Sequence, residues 1–408
     1  MKDERLTVLV AARDEAARIE TTVLRLRQAF PDAEVVVADD GSRDATAELA
    51  ERAGARAVRL PRRGKGQALT LAERECRAGR LLLCDADLRG DLRPLLASDA
   101  DLAIAAFARQ SGGGLGIAKG VARALVRHRV GRRLREPLSG QRALTQGART
   151  VVFPVAAGFG VETAMTIDAV AAGLDVVELE LELEHRATGR DLRGFAHRGT
   201  QLRDLLLAVL APQARNFRGL RLPFVGAVVG LAVPSVAPVA AIGLADDLWS
   251  GPERGVRAHL RAGATTGTLK LVAIPAWALW RTGSLSGSVL VSLAANALNQ
   301  LDTRPGRATK AFLLGAVALS GRPRSGVLVA VLLAPYDHRE MAMLGDAGSN
   351  ALGAVLGLES VRRLTGLRRL GAISALAALT AVGERHSLGT LIERAPVLRS
   401  LDAWGREP

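Results

Sequence analysis

The chain has 408 residues, 49% hydrophobic and 24% charged, with a formal net charge of +14; that length predicts two domains, and the mixture fits neither a pure membrane protein nor an ordinary soluble enzyme. Aromatic residues reach only 3%, and no zinc spacing, helix-turn-helix signal or aromatic ribonucleoprotein motif accompanies the charge, so nucleic acid is excluded as the partner. Phosphorylated substrates and an anionic membrane face suit the basic surface better.

Leu6 to Ala12 is an apolar run rich in strand formers, followed by the charged Arg13-Asp14-Glu15. Helical periodicity then runs through Ile19, Val23, Leu24 and Leu26. Glu34 to Ala38 predicts a second buried strand ending at Asp39-Asp40-Gly41-Ser42, with a helix from about Asp44 to Ala53. Leu81-Leu82-Leu83-Cys84 predicts another strand, closed by Asp85-Ala86-Asp87. Cys84 belongs to its packing, and with Cys76 the only other cysteine there is no disulfide framework. Continuous apolar strands alternating with helices predict an α/β domain with a parallel sheet covered on both faces. Ligands bind beyond the carboxyl ends of such strands. One acidic pair there is ordinarily a turn or a helix cap; three in succession on one edge point to cation and phosphate chemistry.

These residues resemble the family 2 glycosyltransferases of GT-A fold, in particular the dolichyl-phosphate mannosyltransferase and glucosyl-phosphoglycerate synthase types. The match runs through Val10 to Glu15, Val37 to Thr46, Gly64-Lys65-Gly66-Gln67-Ala68-Leu69 and Asp85-Ala86-Asp87. The resemblance implies a nucleoside-diphosphate-sugar donor whose base and ribose meet Ala11, Glu15 and Asp40, with Asp39 beside them. It also implies Lys65 near the diphosphate, and Mg2+ or Mn2+ held by Asp87 with help from Asp85. A cation and a lysine there would stabilise the charge that grows on the leaving phosphate.

Pro137 to Leu144, which includes Arg142, resembles the acceptor-side loop of the same family, and Gly158 to Glu162 its acceptor-site acid. Arg142 is therefore expected among the catalytic residues with Asp87 and Glu162. His185, at the end of an alternating segment, is either structural or the residue that closes the metal shell. A hydroxyl acceptor needs a base such as Glu162; a lipid phosphate needs only positive charge. Lys119, Arg123, Arg127, Arg129, Arg132, Arg133 and Arg135, opposed by Glu136, form either a solvated helix face or a surface for polyprenyl phosphate.

Beyond about residue 210, apolar segments rich in small residues recur at roughly 222–245, 266–280, 285–301, 311–320, 326–335, 347–358 and 370–383. They predict an all-α polytopic membrane domain over 211–408, following a GT-A domain over 1–210. Asp246-Asp247, Asn296 to Asp302 and Gly345-Asp346-Ala347-Gly348-Ser349 resemble the polyprenyl-phosphate N-acetylhexosamine-1-phosphate transferases. The resemblance implies a second Mg2+ and sugar-nucleotide site at Asp246, Asp247, Asn299, Asp302 and Asp346. Ser250 stands where that family has a lysine, and His386 is the one histidine after Asp346.

The expectation is a metal-dependent inverting glycosyltransferase of the cell membrane, multi-pass, with its catalytic domain cytoplasmic. Its acceptor would be a polyprenyl phosphate or related lipid. The alternatives are a bifunctional enzyme that also transfers a sugar-1-phosphate, and a transferase to a small hydroxyl acceptor.

Overall fold

The computed structural model describes residues 5–404 apart from 78, 88–89, 108–115, 184–191, 250–265, 320–323 and 387. The chain divides into two compact units, Met1–Leu222 and Pro223–Pro408.

The first unit is built on a seven-stranded sheet in the order β3-β2-β1-β4-β6-β5-β7. Its strands are β1 (Leu6–Ala12), β2 (Glu34–Asp40), β3 (Arg56–Leu60), β4 (Arg80–Asp85), β5 (Leu102–Phe107), β6 (Arg142–Leu144) and β7 (Val176–Leu181). β1 pairs in parallel with β2 and β4, and β2 in parallel with β3. In β1, Val8 and Val10 pack in one apolar cluster, while Leu9, between them, packs in the cluster on the opposite face. A strand buried on both sides reads as unbroken apolar sequence, and this is why Leu6 to Ala12 and Leu81 to Cys84 do not alternate with polar residues. Each fully buried Val or Leu contributes about 1.5–3 kcal/mol over its exposed state.

Parallel register brings the carboxyl ends together: Ala11 lies opposite both Ala38 and Asp85, and Ala12 opposite Asp39. The short β6 runs antiparallel to its neighbours β4 and β5. A reversed strand begins at the edge where its neighbours end, so Gly140 and Gln141, just before β6, arrive beside Asp85. The helices that matter for the site are α1 (Ile19–Ala29), α2 (Thr46–Arg52), α3 (Lys65–Glu73), α4 (Arg93–Leu96), α5 (Ile117–Val130), α6 (Gln146–Val152), α7 (Val161–Ala171) and α8 (Leu192–Leu210).

The described part of the second unit is helical, and its core joins Val229, Val239, Val291, Phe312, Ala330 and Leu352 among others. Among the described residues no helix is long and apolar enough to cross a membrane. This corrects the expected all-α polytopic membrane domain and, with it, the multi-pass cell-membrane location. The physical reason lies in length and charge. The helix Leu285–Leu301 has 17 residues, which at 1.5 Å per residue is roughly 26 Å, short of a ~30 Å hydrocarbon core. The longer helices Gly345–Arg363 and Gly366–Arg385 carry Asp346, Glu359, Arg362, Arg363, Arg368, Arg369, Glu384 and Arg385. The apolar segment 222–245 is interrupted at Pro234 into the helices Ala227–Ala232 and Ala237–Trp249, with a 3-10 turn Pro234–Val236 between them.

Candidate functional site

The loops that follow β1 and β2 are stapled to each other by their own polar side chains. Asp14 donates its N–H to Ser42 Oγ at 2.9 Å and accepts the Arg43 N–H at 2.8 Å. Its φ of 53° lies in the left-handed region, which an Asp tolerates better than most residues. The Glu15 N–H reaches Thr46 Oγ1 at 2.8 Å, and the Glu15 carboxylate pairs with Arg18. Asp39 closes a local turn by accepting the Ser42 N–H at 3.1 Å. Asp40, also buried, accepts the N–H groups of Arg63 (2.7 Å) and Gly64 (3.0 Å). Burial pushes the Asp40 carboxyl above its ordinary value, although those N–H groups oppose the shift. Asp39 and Asp40 thus shape the loops around the strand ends, and Ala11, partly exposed and opposite Asp85, packs against the apolar cluster of Leu9.

Lys65, the first residue of α3, is the hub. Its ammonium lies 2.6 Å from Asp85 Oδ1 and 2.6 Å from Glu162 Oε1. Burial alone would lower this lysine, but the Asp85 and Glu162 carboxylates hold it above its ordinary value. A buried charge of this kind persists only when paired. Gln141 Nε2 donates to the other Asp85 oxygen at 3.2 Å. Thr22 of α1 donates to the carbonyl oxygen of Ala86 at 2.7 Å, fixing the backbone between the two aspartates. Asp87 is half-buried and makes no hydrogen bond or ion pair among the described residues. Asp85 and Asp87 are hard oxygen donors suited to Mg2+ or Mn2+. Among the described residues no group of three or more His, Cys, Asp or Glu is arranged to hold a metal; the expected third ligand, His185, lies outside the described residues.

The residues expected on the acceptor side are fixed from below. Glu162, in the first turn of α7, is buried and faces Lys65. Arg142 is fully buried, and its guanidinium is spent on neutral acceptors: Ser139 O (2.8 Å), Thr166 Oγ1 (2.9 Å) and Pro137 O (3.2 Å). Burial lowers its pKa to about 10. The structure places Arg142 as a strut beneath the 137–141 loop. Sequence reasoning missed three supporting residues. Gln67 Oε1 accepts the Gly158 N–H at 3.2 Å, Asp204 of α8 accepts the Phe159 N–H at 3.1 Å, and Gln141 holds Asp85. Gln67 and Gln141 both stand inside the family-like motifs, which was the available signal; Asp204 carried none.

Two glycines permit this closeness. A Cβ on Gly66 would sit 1.9 Å from Ala156 O, and one on Gly140 only 2.3 Å from Asp85 Oδ2. Gly140→Ala is therefore expected to push the Asp85 carboxylate off Lys65 and Gln141. Affinity for Mn2+ with a nucleoside diphosphate should drop at least tenfold, read by calorimetry, with the thermal midpoint moved by only a few degrees.

Much of the basic run is spent internally. Lys119 pairs with Glu136, Arg123 and Arg129 donate to the carbonyls of Arg135 and Val209, and Arg135 pairs with Glu180. Arg127, Arg132 and Arg133 remain exposed.

In the second unit the dispersed aspartates do gather. Lys270, which sequence reasoning missed, lies 2.8 Å from Asp246 and also pairs with Asp346. Asp247 accepts the N–H groups of Asp346 (2.8 Å) and Ala347 (3.0 Å). Burial raises Asp302 well above its ordinary value, helped by Asp337, Asp346 and Asp247. Asn299 brings a buried Nδ2 with no hydrogen-bond partner among the described residues. The Ser250 position lies outside the described residues. Burial, then the Asp346 and Asp246 charges, push Asp247 up to about 7, with two N–H groups opposing. A carboxyl raised this way favours the fold below its unfolded pKa near 4, and that contribution is lost as pH rises toward 7. Thermal midpoints should accordingly fall between about pH 4 and 7, and less steeply in Asp247→Asn; an identical slope in the variant would contradict this assignment.

Residues 7–97 match the family model described as glycosyl transferase family 2. No curated protein matches the chain. Among solved structures, glucosyl-3-phosphoglycerate synthase from Mycobacterium tuberculosis with Mg2+ and uridine diphosphate is 26% identical. That alignment covers 51% of this chain and 79% of the synthase, with a TM-score of 0.43. The same synthase with Mn2+, uridine diphosphate and phosphoglyceric acid is 27% identical over 51% and 78%, also with a TM-score of 0.43. The family match falls on the α/β unit and spans β1, β2 and β4, whose ends carry the carboxylates.

Proposed function

We propose that the unit carrying the glycosyl transferase family 2 match is a metal-dependent inverting glycosyltransferase acting on a nucleoside-diphosphate sugar, with a uridine nucleotide the first donor to test. The observation that carries this reading is the convergence of Lys65, Asp85 and Glu162 at one strand edge, with Asp87 half-buried beside them. Asp87, with Asp85, would hold Mg2+ or Mn2+; the bound cation would neutralise charge developing on the leaving diphosphate.

The remaining roles belong to the chain's own groups. Lys65 supplies a second positive charge to the diphosphate, in a site dry enough to make that charge effective. Ala11 and the loops shaped by Glu15, Asp39 and Asp40 receive the base and ribose. Glu162 takes the proton of an acceptor hydroxyl, within a wall kept in place by Arg142, Gln141 and Asp204. A lipid phosphate acceptor would not need Glu162 as a base; the exposed Arg127, Arg132 and Arg133 favour that second reading. Hydrolysis of a panel of nucleotide sugars, with and without Mn2+, tests the donor assignment, and no metal-dependent turnover of any donor would sink it. Glu162→Gln then separates the acceptors: a hydroxyl acceptor loses turnover, a lipid phosphate acceptor retains it.

A further reading concerns the second unit, where Lys270 joins Asp246 and Asp346. This supports a sugar-1-phosphate transfer there as a separate activity. Formation of a lipid-pyrophosphate product that disappears in Asp346→Asn, with sugar transfer intact, is its test.

A further inference from the structure

The opposite edge of the sheet carries a different concentration of charge. A groove of about 1380 Å³ opens where β1, β2 and β4 begin, between the end of α3 and residues 215–219. It lies the length of β1 away from the Lys65 edge, roughly 20 Å for a seven-residue strand.

Three of the four carboxylates along it are ion-paired. Arg56 pairs with Glu34 at 2.8 Å and with Glu75 at 3.8 Å, and Arg149 pairs with Glu73. Because Arg56 is shared by Glu34 and Glu75, what remains on the lining is Arg5, Arg74, Arg77 and Arg215 against Asp32 and one further carboxylate, an excess of two positive charges. Arg74 gives one N–H to Gly219 O at 3.2 Å. The side chains of Arg5, Arg77, Arg215 and Asp32 have no hydrogen bond or ion pair among the described residues. The groove also holds Thr7, fully buried on β1, whose hydroxyl has no hydrogen-bond partner among the described residues. A buried hydroxyl without a partner is uncommon, and its presence beside uncompensated guanidinium groups points to a ligand that accepts hydrogen bonds. Guanidinium forks match phosphate oxygens bidentately. The excess of positive charge calls for more than one negative charge on the ligand, and the concave shape suits a small molecule better than a flat bilayer.

We propose that this groove binds a soluble molecule bearing a diphosphate or two phosphate groups, at a site separate from the strand edge that carries Lys65. α3 runs from one site to the other, beginning at Lys65 and ending at Glu73 beside the groove. The test uses the full chain carrying Lys65→Met, so that the opposite edge has lost its ammonium, and titrates inorganic pyrophosphate without divalent metal by calorimetry. Binding is expected there, and it should weaken at least tenfold when Arg77→Glu and Arg215→Glu are added. Arg77→Gln/Arg215→Gln provides a milder pair if the reversed charges disturb folding. Binding that ignores both pairs, or that vanishes with Lys65→Met alone, overturns the proposal. So does a result in which phosphatidylglycerol vesicles bind through Arg77 and Arg215 while pyrophosphate does not, since the surface would then serve a lipid headgroup.

Discussion

On the proposed function, Asp87→Ala is expected to cut metal-dependent turnover of the nucleotide sugar by about a hundred- to thousandfold, the scale on which removal of one preorganised charge-stabilising group acts. Asp87 makes no hydrogen bond or ion pair among the described residues, so its loss leaves no described partner stranded. The thermal midpoint should therefore stay close to that of the parent protein, and Mn2+ binding followed by electron paramagnetic resonance should weaken in step with activity. Asp85→Ala should behave differently. It leaves Lys65 with Glu162 alone and Gln141 Nε2 without its acceptor, so stability and turnover fall together. A variant at 87 that loses stability while still binding Mn2+ would reverse the two roles.

The largest effect on stability is expected in the second unit, at Arg307. Its guanidinium grips Asp402 through two bonds of 3.0 and 2.9 Å, and both side chains are buried. Lys310 adds a bond to the Asp402 carbonyl oxygen at 2.6 Å, and Arg304 pairs with Glu393 at 2.8 Å. One face of the helix Arg307–Ala318, with the turn before it, thus holds the C-terminal helices. Arg307→Ala removes both guanidinium bonds from the buried Asp402 carboxylate and should cost about 3–5 kcal/mol. Exchanging both partners for apolar residues, as in Arg307→Met/Asp402→Leu, should recover most of that loss, because no charge is then left stranded. Hydrogen exchange across Pro396–Ala403 reads this directly: fast in the single variant, slow again in the double.

The α/β unit was legible because its signals are local and repeated. Val8 to Val10, Val35 to Val37 and Leu81 to Leu83 are buried on both faces and announce themselves as unbroken apolar runs. The carboxylates after them could be placed on one edge from strand polarity alone. The role of Arg142 was harder, since a motif gives no indication of whether a guanidinium faces a ligand or a carbonyl. Here its three acceptors are all protein atoms. Lys65 was expected beside a diphosphate; its pairing with Glu162, 97 positions away in the chain, depends on the packing of α7 and could not be read from spacing. In the second unit, composition misled. Small apolar residues such as those of 347–358 serve close helix packing in water as well as in lipid. The Cβ that Gly353 lacks would lie 2.5 Å from Ala294 O, so smallness there reflects neighbouring backbone. Lys270 escaped notice because it lies 24 residues beyond Asp246, across a segment with no periodic signal linking the two.

The reversal of β6 has a consequence for how this protein can be altered. The stretch that matches the family model ends at residue 97, before Gly140, Gln141 and Glu162 are reached. On the proposed roles, the donor residues precede the acceptor residues on the chain, and Gly140 and Gln141 reach Asp85 because a three-residue strand enters the sheet backwards. Grafting the corresponding stretch of a relative over residues 137–171, with Gly140, Glu162 and the buried Arg142, Leu144, Ala148, Val161 and Met165 retained to keep the core, should change what receives the sugar while leaving the choice of nucleotide where it was.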